Sequence, residues 1–257
     1  MRIIPLLCLL FPSILVAQPY HFSKNNEVAL LGLGVSMELV GLYFDSKKSK
    51  PTRQSINQLS KNEIVPWDRF VAGNWSSAAA TRSDIVLYST LALPMLFPIT
   101  NQSSFWELSL LYLETSLITR GGVSIAKGIS HRHRPYAYDS NAPDDTLYSL
   151  DTKRSFFSGH VAQISASSVY FAKVFSDLYP NSEYKKPIWA GSGLVILYAA
   201  WQRMEAGMHF PSDVAVGMLW GGTVAYWVPE WHLKKRKVQF MPYLDQHSNG
   251  VSLSVDL

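Results

Sequence analysis

Residues 203–213, RMEAGMHFPSD, join two apolar segments of helical length and carry an arginine, a histidine and an aspartate. Pro211 favours the start of a helix, so Arg203 and His209 would flank one short turn between two helices. Asp213 lies four residues beyond His209, where its carboxylate could cap the second helix, or accept the Nδ1 proton of His209 and leave Nε2 unprotonated. A plain helix start explains the proline and the aspartate but not the arginine or the histidine.

The segment SFFSGH, residues 155–160, indicates a loop that turns into a helix. Ser158 and Gly159 would stand at the helix N-terminus, with His160 in the first turn. Gly159 lets the backbone approach a ligand closely, and the unpaired N–H groups at the positive end of the helix dipole favour an anion there. Alone, a Ser-Gly-His tripeptide is more often a helix cap than a catalytic site.

The segment KGISHRHRP, residues 127–135, contains three Lys or Arg residues, of which Lys127 and Arg134 are the candidate site residues. Lys127 would end an apolar helix, and Pro135 forces Arg134 out of that helix, so the Arg134 side chain is free to fold back toward Lys127. A planar guanidinium and an ammonium make a suitable clamp for a phosphoryl group. Together the three segments bring cations, two histidines and a carboxylate, which indicates a site for a multiply charged anion with proton transfer or nucleophilic attack.

At this order and spacing the three segments resemble the superfamily of type 2 phosphatidic acid phosphatases and vanadium haloperoxidases. That pattern is a Lys, six residues and Arg-Pro; a Pro-Ser-Gly-His; and a Ser-Arg, five residues, a His, three residues and an Asp. The resemblance spans about residues 84–230. Phe157 replaces the usual Pro and Gln202 the usual Ser, and neither change removes a charged or nucleophilic group. The matching positions are Lys127, Arg134, Pro135, Ser158, Gly159, His160, Arg203, His209 and Asp213.

The resemblance implies a role for each matched residue. His209 would attack phosphorus and become a phosphohistidine, with Asp213 orienting and stabilising its imidazolium. His160 would protonate the departing alkoxide and then act as base on the water that hydrolyses the phosphoenzyme. No metal and no cofactor is implied, because fixed cations neutralise the phosphoryl charge. The groups that would bind the phosphoryl oxygens are Lys127, Arg134, Ser158, Gly159 and Arg203.

The composition is that of one domain with a large core, since 47% of the 257 residues are hydrophobic and 16% are charged. The net charge of +4 is modest and the basic residues form no stripe, which argues against a nucleic-acid partner. Residues 1–17 match an export signal, with Arg2, an apolar run at 3–16 and Ala17 before the cleavage point. Cleavage would remove Cys8, the only cysteine, which suits an oxidising bacterial cell envelope.

Six apolar segments predict helices at about residues 28–44, 84–99, 105–126, 161–178, 188–201 and 213–228. We therefore predict an all-α six-helix bundle of the type 2 phosphatidic acid phosphatase kind, with the three motif segments at one end. Alternation around Asn249-Gly250 predicts a small C-terminal β-hairpin. The predicted organisation is a signal peptide at 1–17, an N-terminal helix and polar covering loop at 18–83, the phosphatase helical core at 84–230, and a basic segment with the hairpin at 231–257.

The sequence leaves the relation to the membrane open. A spanning helix needs about 20 apolar residues, and charges such as Glu38, Glu114 and Arg120 are costly in a bilayer unless they face the bundle interior. If the signal is cleaved and the first three segments span, the site falls on the cytoplasmic side. Either the apolar start is retained, or fewer helices span, or the bundle rests on the membrane. Because several segments are apolar almost all round, we expect membrane association with a periplasm-facing site, with a soluble periplasmic protein as the alternative.

Several functions fit these patterns. The leading one is a metal-independent phosphatase for a phosphomonoester or diphosphate of a lipid, such as phosphatidate, a polyprenyl diphosphate or lipid A. The alternatives are a vanadate-dependent haloperoxidase, in which the cations bind vanadate and His209 is its ligand, and a non-specific periplasmic acid phosphatase acting on soluble phosphomonoesters. A non-catalytic lipid-binding protein is disfavoured, because the set of charged motif residues is complete. No motif names the substrate or the oligomeric state.

Overall fold

The fold was analysed in a computed structural model that describes residues 19–97, 104–138, 141–233, 238–245 and 248–255. The expected signal peptide, residues 1–17, lies outside the described residues. The all-α architecture expected from the sequence is confirmed. The long helices are α1 Lys24–Asp45, α2 Ser77–Ala92, α3 Phe105–Ile129, α4 Gly159–Leu178, α5 Lys185–Glu205 and α6 Pro211–His232.

Five of the six helices contain the predicted apolar segment and most extend beyond it, because polar first turns carry little hydrophobic signal. The largest difference is in α2, which begins at Ser77, well before the predicted start. The Ser76 side chain caps it by accepting a hydrogen bond from the Ala79 N–H at 3.2 Å. The predicted end at residue 99 was wrong, because α2 ends at Ala92 and a 3-10 turn, Leu93–Met95, follows. Pro94 in this turn has no N–H to continue the helical hydrogen bonds. The early start adds polar turns at the N-terminus of α2, and these reach the site described below.

The central helix is α4, on which α3, α5 and α6 pack. The approach of α6 is close at Gly221, where a Cβ would lie 1.9 Å from the Ala162 carbonyl oxygen. In the same way, a Cβ on Gly41 of α1 would lie 2.3 Å from the Ser124 carbonyl carbon of α3. Only glycine permits these contacts between backbones. The main apolar core includes the buried side chains of Leu108, Leu111, Ala166, Tyr170, Val174, Phe175, Ala225 and Val228.

A polar segment, residues 46–76, crosses the end of the bundle where α1 and α3 end. Its Lys48 amino group donates hydrogen bonds to the backbone carbonyls of Lys127 and, at 2.6 Å, Ser130. A cation at the C-terminus of α3 satisfies carbonyls that the helix leaves unpaired. The short elements of this segment are the helix Arg53–Asn57 and the 3-10 turns Lys61–Glu63 and Pro66–Val71.

Beyond α6 the backbone forms two antiparallel strands, β1 Val238–Asp245 and β2 Ser248–Val255. Asn249 and Gly250, which we expected at the turn, lie inside β2, where Asn249 is opposite Leu244. That expectation was wrong because an antiparallel ladder is made by backbone groups, which Asn and Gly supply like other residues.

The outer surface of the bundle is strongly apolar. Among the described residues, α1 is the one helix long and apolar enough to cross a membrane, and signal sequences or core helices can pass the same test of length and composition. Single exposed apolar side chains are ordinary, but here they recur on five helices. Examples are Leu39 and Tyr43 on α1, Tyr88 on α2, Trp106 on α3, Leu194 and Trp201 on α5, and Leu219 and Trp227 on α6.

Candidate active site

The residues singled out from the three sequence segments lie at one end of the bundle. His209 lies in the turn between α5 and α6. Neighbouring helix termini carry the others: Lys127 in the last turn of α3, His160 in the first turn of α4, Arg203 in the last turn of α5 and Asp213 in the first turn of α6. The pKa of the His209 imidazole responds to the charges of Arg134, Arg203, Lys127 and His160.

His209 is held by a backbone carbonyl and presents an unpaired nitrogen. Its Nδ1 donates to the Ser155 carbonyl oxygen at 2.7 Å, which leaves Nε2 unprotonated. Nε2 is buried and has no hydrogen-bond partner among the described residues, and the residue as a whole is 1% exposed. Burial lowers the pKa of His209 well below its ordinary value, and the nearby cations lower it further. The imidazole is therefore neutral at physiological pH and carries a nucleophilic lone pair on Nε2.

Asp213 caps α6 and supports His209 indirectly. Its Oδ2 accepts hydrogen bonds from the Phe210 N–H at 2.9 Å and from the Ser155 hydroxyl at 2.6 Å. Of the two alternatives raised by the sequence, capping is the one observed, because the Nδ1 proton of His209 goes to a closer acceptor. Nδ1 is 3.9 Å from the Asp213 carboxylate. Asp213 therefore holds the hydroxyl of Ser155, and the carbonyl of Ser155 holds His209.

An ion-paired layer behind Asp213, in which both carboxylates are buried and the arginine is partly exposed, was missed in the sequence. Arg132 donates to Asp213 Oδ1 at 2.5 Å and to Asp68 Oδ2 at 2.6 Å. The Ser212 N–H and hydroxyl also donate to Asp68, at 2.9 and 2.6 Å. Burial raises the pKa of Asp213, and the charge of Arg132 opposes that shift. The sequence showed only that Arg132 lies between two histidines in a segment that also carries Lys127 and Arg134. Nothing in the sequence linked Arg132 to Asp68.

Arg134 and Lys127 form a cationic pair, as the spacing of their segment suggested. Arg134 donates from Nε to the Asp151 carbonyl at 2.9 Å and from Nη2 to the Asp151 carboxylate at 2.8 Å, which orients the guanidinium plane. Lys127 Nζ lies 3.7 Å from the point that a Cβ on Gly159 would occupy, so the ammonium faces the start of α4. Burial, with the charge of Arg134, lowers the pKa of Lys127 to about 7. An anion bound beside Lys127 would restore its full charge.

Arg203 enters the site from the end of α5 with one donor unused. Its Nη1 donates to the Ser83 hydroxyl at 3.0 Å and lies 3.7 Å from Asp84 Oδ1. Its Nε is buried without a hydrogen-bond partner in the described part of the chain. Buried N–H groups without acceptors are rare in native folds. The same end of the bundle therefore holds an unpaired donor on Arg203 and an unpaired nucleophilic nitrogen on His209.

His160 pairs with Asp84, a residue that the sequence did not single out. His160 Nε2 is 2.8 Å from Asp84 Oδ1. The His160 side chain is 32% exposed, so this imidazole, unlike that of His209, borders open space. Burial and the charge of Arg203 lower the pKa of His160 to about 4, although the hydrogen bond and charge of Asp84 oppose this shift. No spacing rule could have joined two residues 76 positions apart.

The two departures from the family pattern have contacts of their own. Gln202 is buried, and its Oε1 accepts a hydrogen bond from Arg82 Nε at 2.6 Å. Phe157 is buried beside Val123 of α3. Ser158, the next residue, caps α4 through its hydroxyl. The altered positions therefore pack against neighbouring helices and hydrogen-bond with them.

The side chains around Nε2 of His209 suit an anion better than a metal ion. They are cations and imidazoles, while the carboxylates of Asp84 and Asp213 are engaged by His160 and Arg132. The two histidines considered as a metal pair differ in environment: residue 131 is exposed, and the Nε2 atom of residue 133 is buried.

Comparisons with known proteins agree with the motif order. A sequence model described as the PAP2 superfamily matches residues 108–237, about half of the chain. This range includes every matched motif residue, whereas Asp68, Ser83 and Asp84 precede it. No curated protein and no solved structure gives a significant match. The superfamily match supports a phosphatase acting on phosphate esters, and, together with the helical fold, it shows that the chain belongs to the PAP2 superfamily.

Proposed function

We propose that this protein is a metal-independent phosphatase that hydrolyses a phosphomonoester or diphosphate of a lipid through a phosphohistidine at His209. The observation that carries the proposal is the Nε2 atom of His209, which is buried, unprotonated and without a hydrogen-bond partner among the described residues. A polar atom left unpaired inside a native fold points to a ligand. The cations around it favour a phosphoryl group.

In the first step, the Nε2 lone pair of His209 attacks phosphorus in line with the leaving oxygen. The N–P bond forms as the P–O bond breaks, and the Nδ1 proton stays on the hydrogen bond to the Ser155 carbonyl. The carboxylate of Asp213, 3.9 Å from Nδ1, stabilises the positive charge that the imidazole gains. The groups proposed to bind the equatorial oxygens are Lys127, Arg134, Arg203 and, at the N-terminus of α4, Ser158 and Gly159.

His160 is the proposed general acid and base. The negative charge of the bound phosphate favours the imidazolium form of His160. This imidazolium transfers a proton to the departing alkoxide and becomes neutral. The neutral ring then takes a proton from the water that attacks the phosphohistidine, the N–P bond breaks, and inorganic phosphate leaves. Asp84 supports both steps because its hydrogen bond orients the ring and raises the pKa of His160.

An apolar groove supports a lipid substrate. The groove has a volume of about 520 Å³ and lies between α2, α3 and α4. Gly159 and His160 are among its lining residues, so a chain lying in the groove would bring its headgroup to the cations. A soluble phosphomonoester would leave these walls uncovered. The apolar lining residues are Leu87, Leu91, Leu113, Leu117 and Val123.

We further propose that the bundle is membrane-associated in a bacterial cell envelope, with the site facing the periplasm. The apolar side chains exposed on five helices support this proposal, since a lipid environment would cover them. The measurement is membrane fractionation. Recovery in the soluble fraction without detergent would instead favour a soluble periplasmic phosphatase.

The test of the chemistry is phosphate release from a panel of lipid and soluble phosphomonoesters and diphosphates, in chelator. His209→Ala should lower the rate at least about a thousandfold, while His131→Ala, at an exposed loop position, should leave it unchanged. Rapid acid quench with radiolabelled substrate, followed by neutralisation, should trap an acid-labile phosphoenzyme in the wild type only. Unchanged activity of His209→Ala would contradict the phosphohistidine, and preference for soluble esters would contradict the lipid substrate.

A further inference from the structure

Three chemistry-bearing side chains, Glu27, Glu114 and His232, meet at the end of the bundle opposite the candidate active site. Glu27 lies in the first turn of α1, Glu114 in the middle of α3 and His232 at the end of α6. Glu114 precedes Lys127 by thirteen residues on one helix, which corresponds to a rise of about 20 Å. The cluster is therefore separate from the groups assigned to phosphate chemistry.

The imidazole of His232 directs its Nε2 atom at both carboxylates. Its Nδ1 donates to the Val228 carbonyl oxygen at 2.8 Å, so in the neutral ring Nε2 carries the lone pair. Nε2 is 3.2 Å from Glu27 Oε2 and 3.4 Å from Glu114 Oε2. One ligand atom from each of the three residues lies within 4.8 Å of the other two. Three acceptor atoms at these distances repel one another unless a cation or a proton lies between them.

Burial of the cluster raises the free-energy cost of leaving its carboxylates charged and unpaired. Glu114 is 0% exposed, and neither of its carboxylate oxygens has a hydrogen-bond partner among the described residues. Within the described ranges, no lysine or arginine pairs with Glu114 or with Glu27, and the basic side chain within 4 Å of each carboxylate is that of His232. A buried carboxylate without a counter-charge is strongly unfavourable. Either a proton or a bound cation must therefore neutralise the cluster.

We propose that Glu27, Glu114 and His232 bind one divalent transition-metal ion of the zinc class. With metal–ligand bonds of about 2.1 Å, neighbouring ligand atoms in a tetrahedral site are about 3.4 Å apart, close to the two distances measured from Nε2. Two carboxylates and a neutral imidazole match the charge of such an ion. One water would complete the coordination, and the Glu27 side chain, 12% exposed, leaves a path for it.

Surrounding contacts are those that support metal ligands. A ligating histidine usually donates its second ring N–H to a carbonyl or carboxylate, as His232 does to Val228. The free oxygen of Glu27, Oε1, accepts a hydrogen bond from the Ser23 N–H at 3.1 Å. The ring of Phe22 packs on that of His232 with centroids 5.0 Å apart. The ion would tie the start of α1 to α3 and α6 and so act on stability.

The test is Co²⁺ binding to the full-length protein purified in detergent and freed of metal with a chelator. The wild type should bind about one Co²⁺ per chain with tetrahedral visible absorption, and Zn²⁺ should displace it. Glu114→Gln and His232→Gln should weaken binding at least about tenfold. Glu183→Gln and His131→Gln, matched changes at exposed positions, should bind as the wild type does. Equal binding by the wild type and His232→Gln would overturn the proposal.

A second measurement uses only the wild type, so it tests the proposal even if the variants do not fold. X-ray absorption at the zinc edge should show one imidazole with oxygen neighbours at about 2.0–2.2 Å; a shell of water oxygens alone would overturn the proposal. A carboxylic-acid infrared band that persists in Zn²⁺ would do the same, because it would show that a proton occupies the cluster. Removal of the metal by a chelator should lower the melting temperature. At temperatures well below that melting temperature, phosphatase activity should remain intact, so the test is independent of the proposed catalytic mechanism.

Discussion

Replacing Ser155 with alanine removes one hydroxyl from the support of His209 and leaves the backbone carbonyl in place. The hydroxyl donates to Asp213 Oδ2 at 2.6 Å, and both residues are 0% exposed. A hydrogen bond to a charged group contributes about 1.5–3 kcal/mol. Its loss leaves a buried carboxylate oxygen with only the Phe210 N–H as donor. For a chain of this size, that free energy corresponds to a fall in Tm of about 3–12 °C.

The same change should reduce catalysis. Without the hydroxyl anchor, the loop that carries the Ser155 carbonyl can shift, and with it the ring of His209. A displacement of about 1 Å at a reacting group lowers the rate about a hundredfold. The assays are thermal unfolding and kcat on a lipid phosphate in mixed micelles. We expect a fall in kcat of about 10- to 100-fold for Ser155→Ala.

Ser165→Ala is the matched control. Ser165 is also buried, but its hydroxyl donates to the neutral Met218 carbonyl at 2.9 Å, far from His209 in the chain. Its removal should lower stability by only about 0.5–1.5 kcal/mol and leave kcat unchanged. If Ser155→Ala melted no lower than Ser165→Ala and kept the wild-type kcat, the link from Asp213 through Ser155 to the imidazole would be refuted.

Other predictions concern the pH profile and the packing of α6. Asp84 raises the pKa of His160, so Asp84→Asn should move the alkaline limb of kcat/KM to lower pH; an unmoved limb would contradict the pairing. The pKa of Lys127 is about 7, and its charge is lost above that pH, so competitive inhibition by vanadate should weaken as pH rises through 7, less so in Lys127→Arg. Gly221→Ala places a Cβ 1.9 Å from a carbonyl oxygen of α4 and should destabilise the fold by about 1–3 kcal/mol or more. Gly191→Ala, where a Cβ meets nothing within 4 Å, should instead stabilise it by about 0.5–1 kcal/mol, and equal melting temperatures for the two variants would contradict the close packing.

Much of the architecture follows from local features of the sequence. Apolar runs and caps determine where helices form, and the order of the motifs determines which helix ends carry the charges. The turn between α5 and α6 is an example, because Gly207 at φ +70° lets the chain reverse between Arg203 and His209. The positions of Lys127 and Arg134 on either side of a helix end could likewise be predicted.

The partners of these side chains could not be predicted. The proton of His209 Nδ1 goes to a backbone carbonyl 54 residues earlier, and Asp84 lies beside His160 because α2 packs on α4. Arg132 joins Asp68 to Asp213 across the covering segment. Each contact joins residues from separate elements, and no regular spacing in the sequence indicates which residues will meet.

The sequence by itself determined the helical class, the superfamily and the residues proposed to handle phosphate, because helix formation and motif spacing depend on near neighbours in the chain. The tertiary structure alone decided which atom of His209 is free, which acid accompanies His160, and that Glu27 meets His232 across 205 positions. The physical reason is that hydrogen bonds and ion pairs act over about 3 Å, so they depend on how whole helices pack against one another.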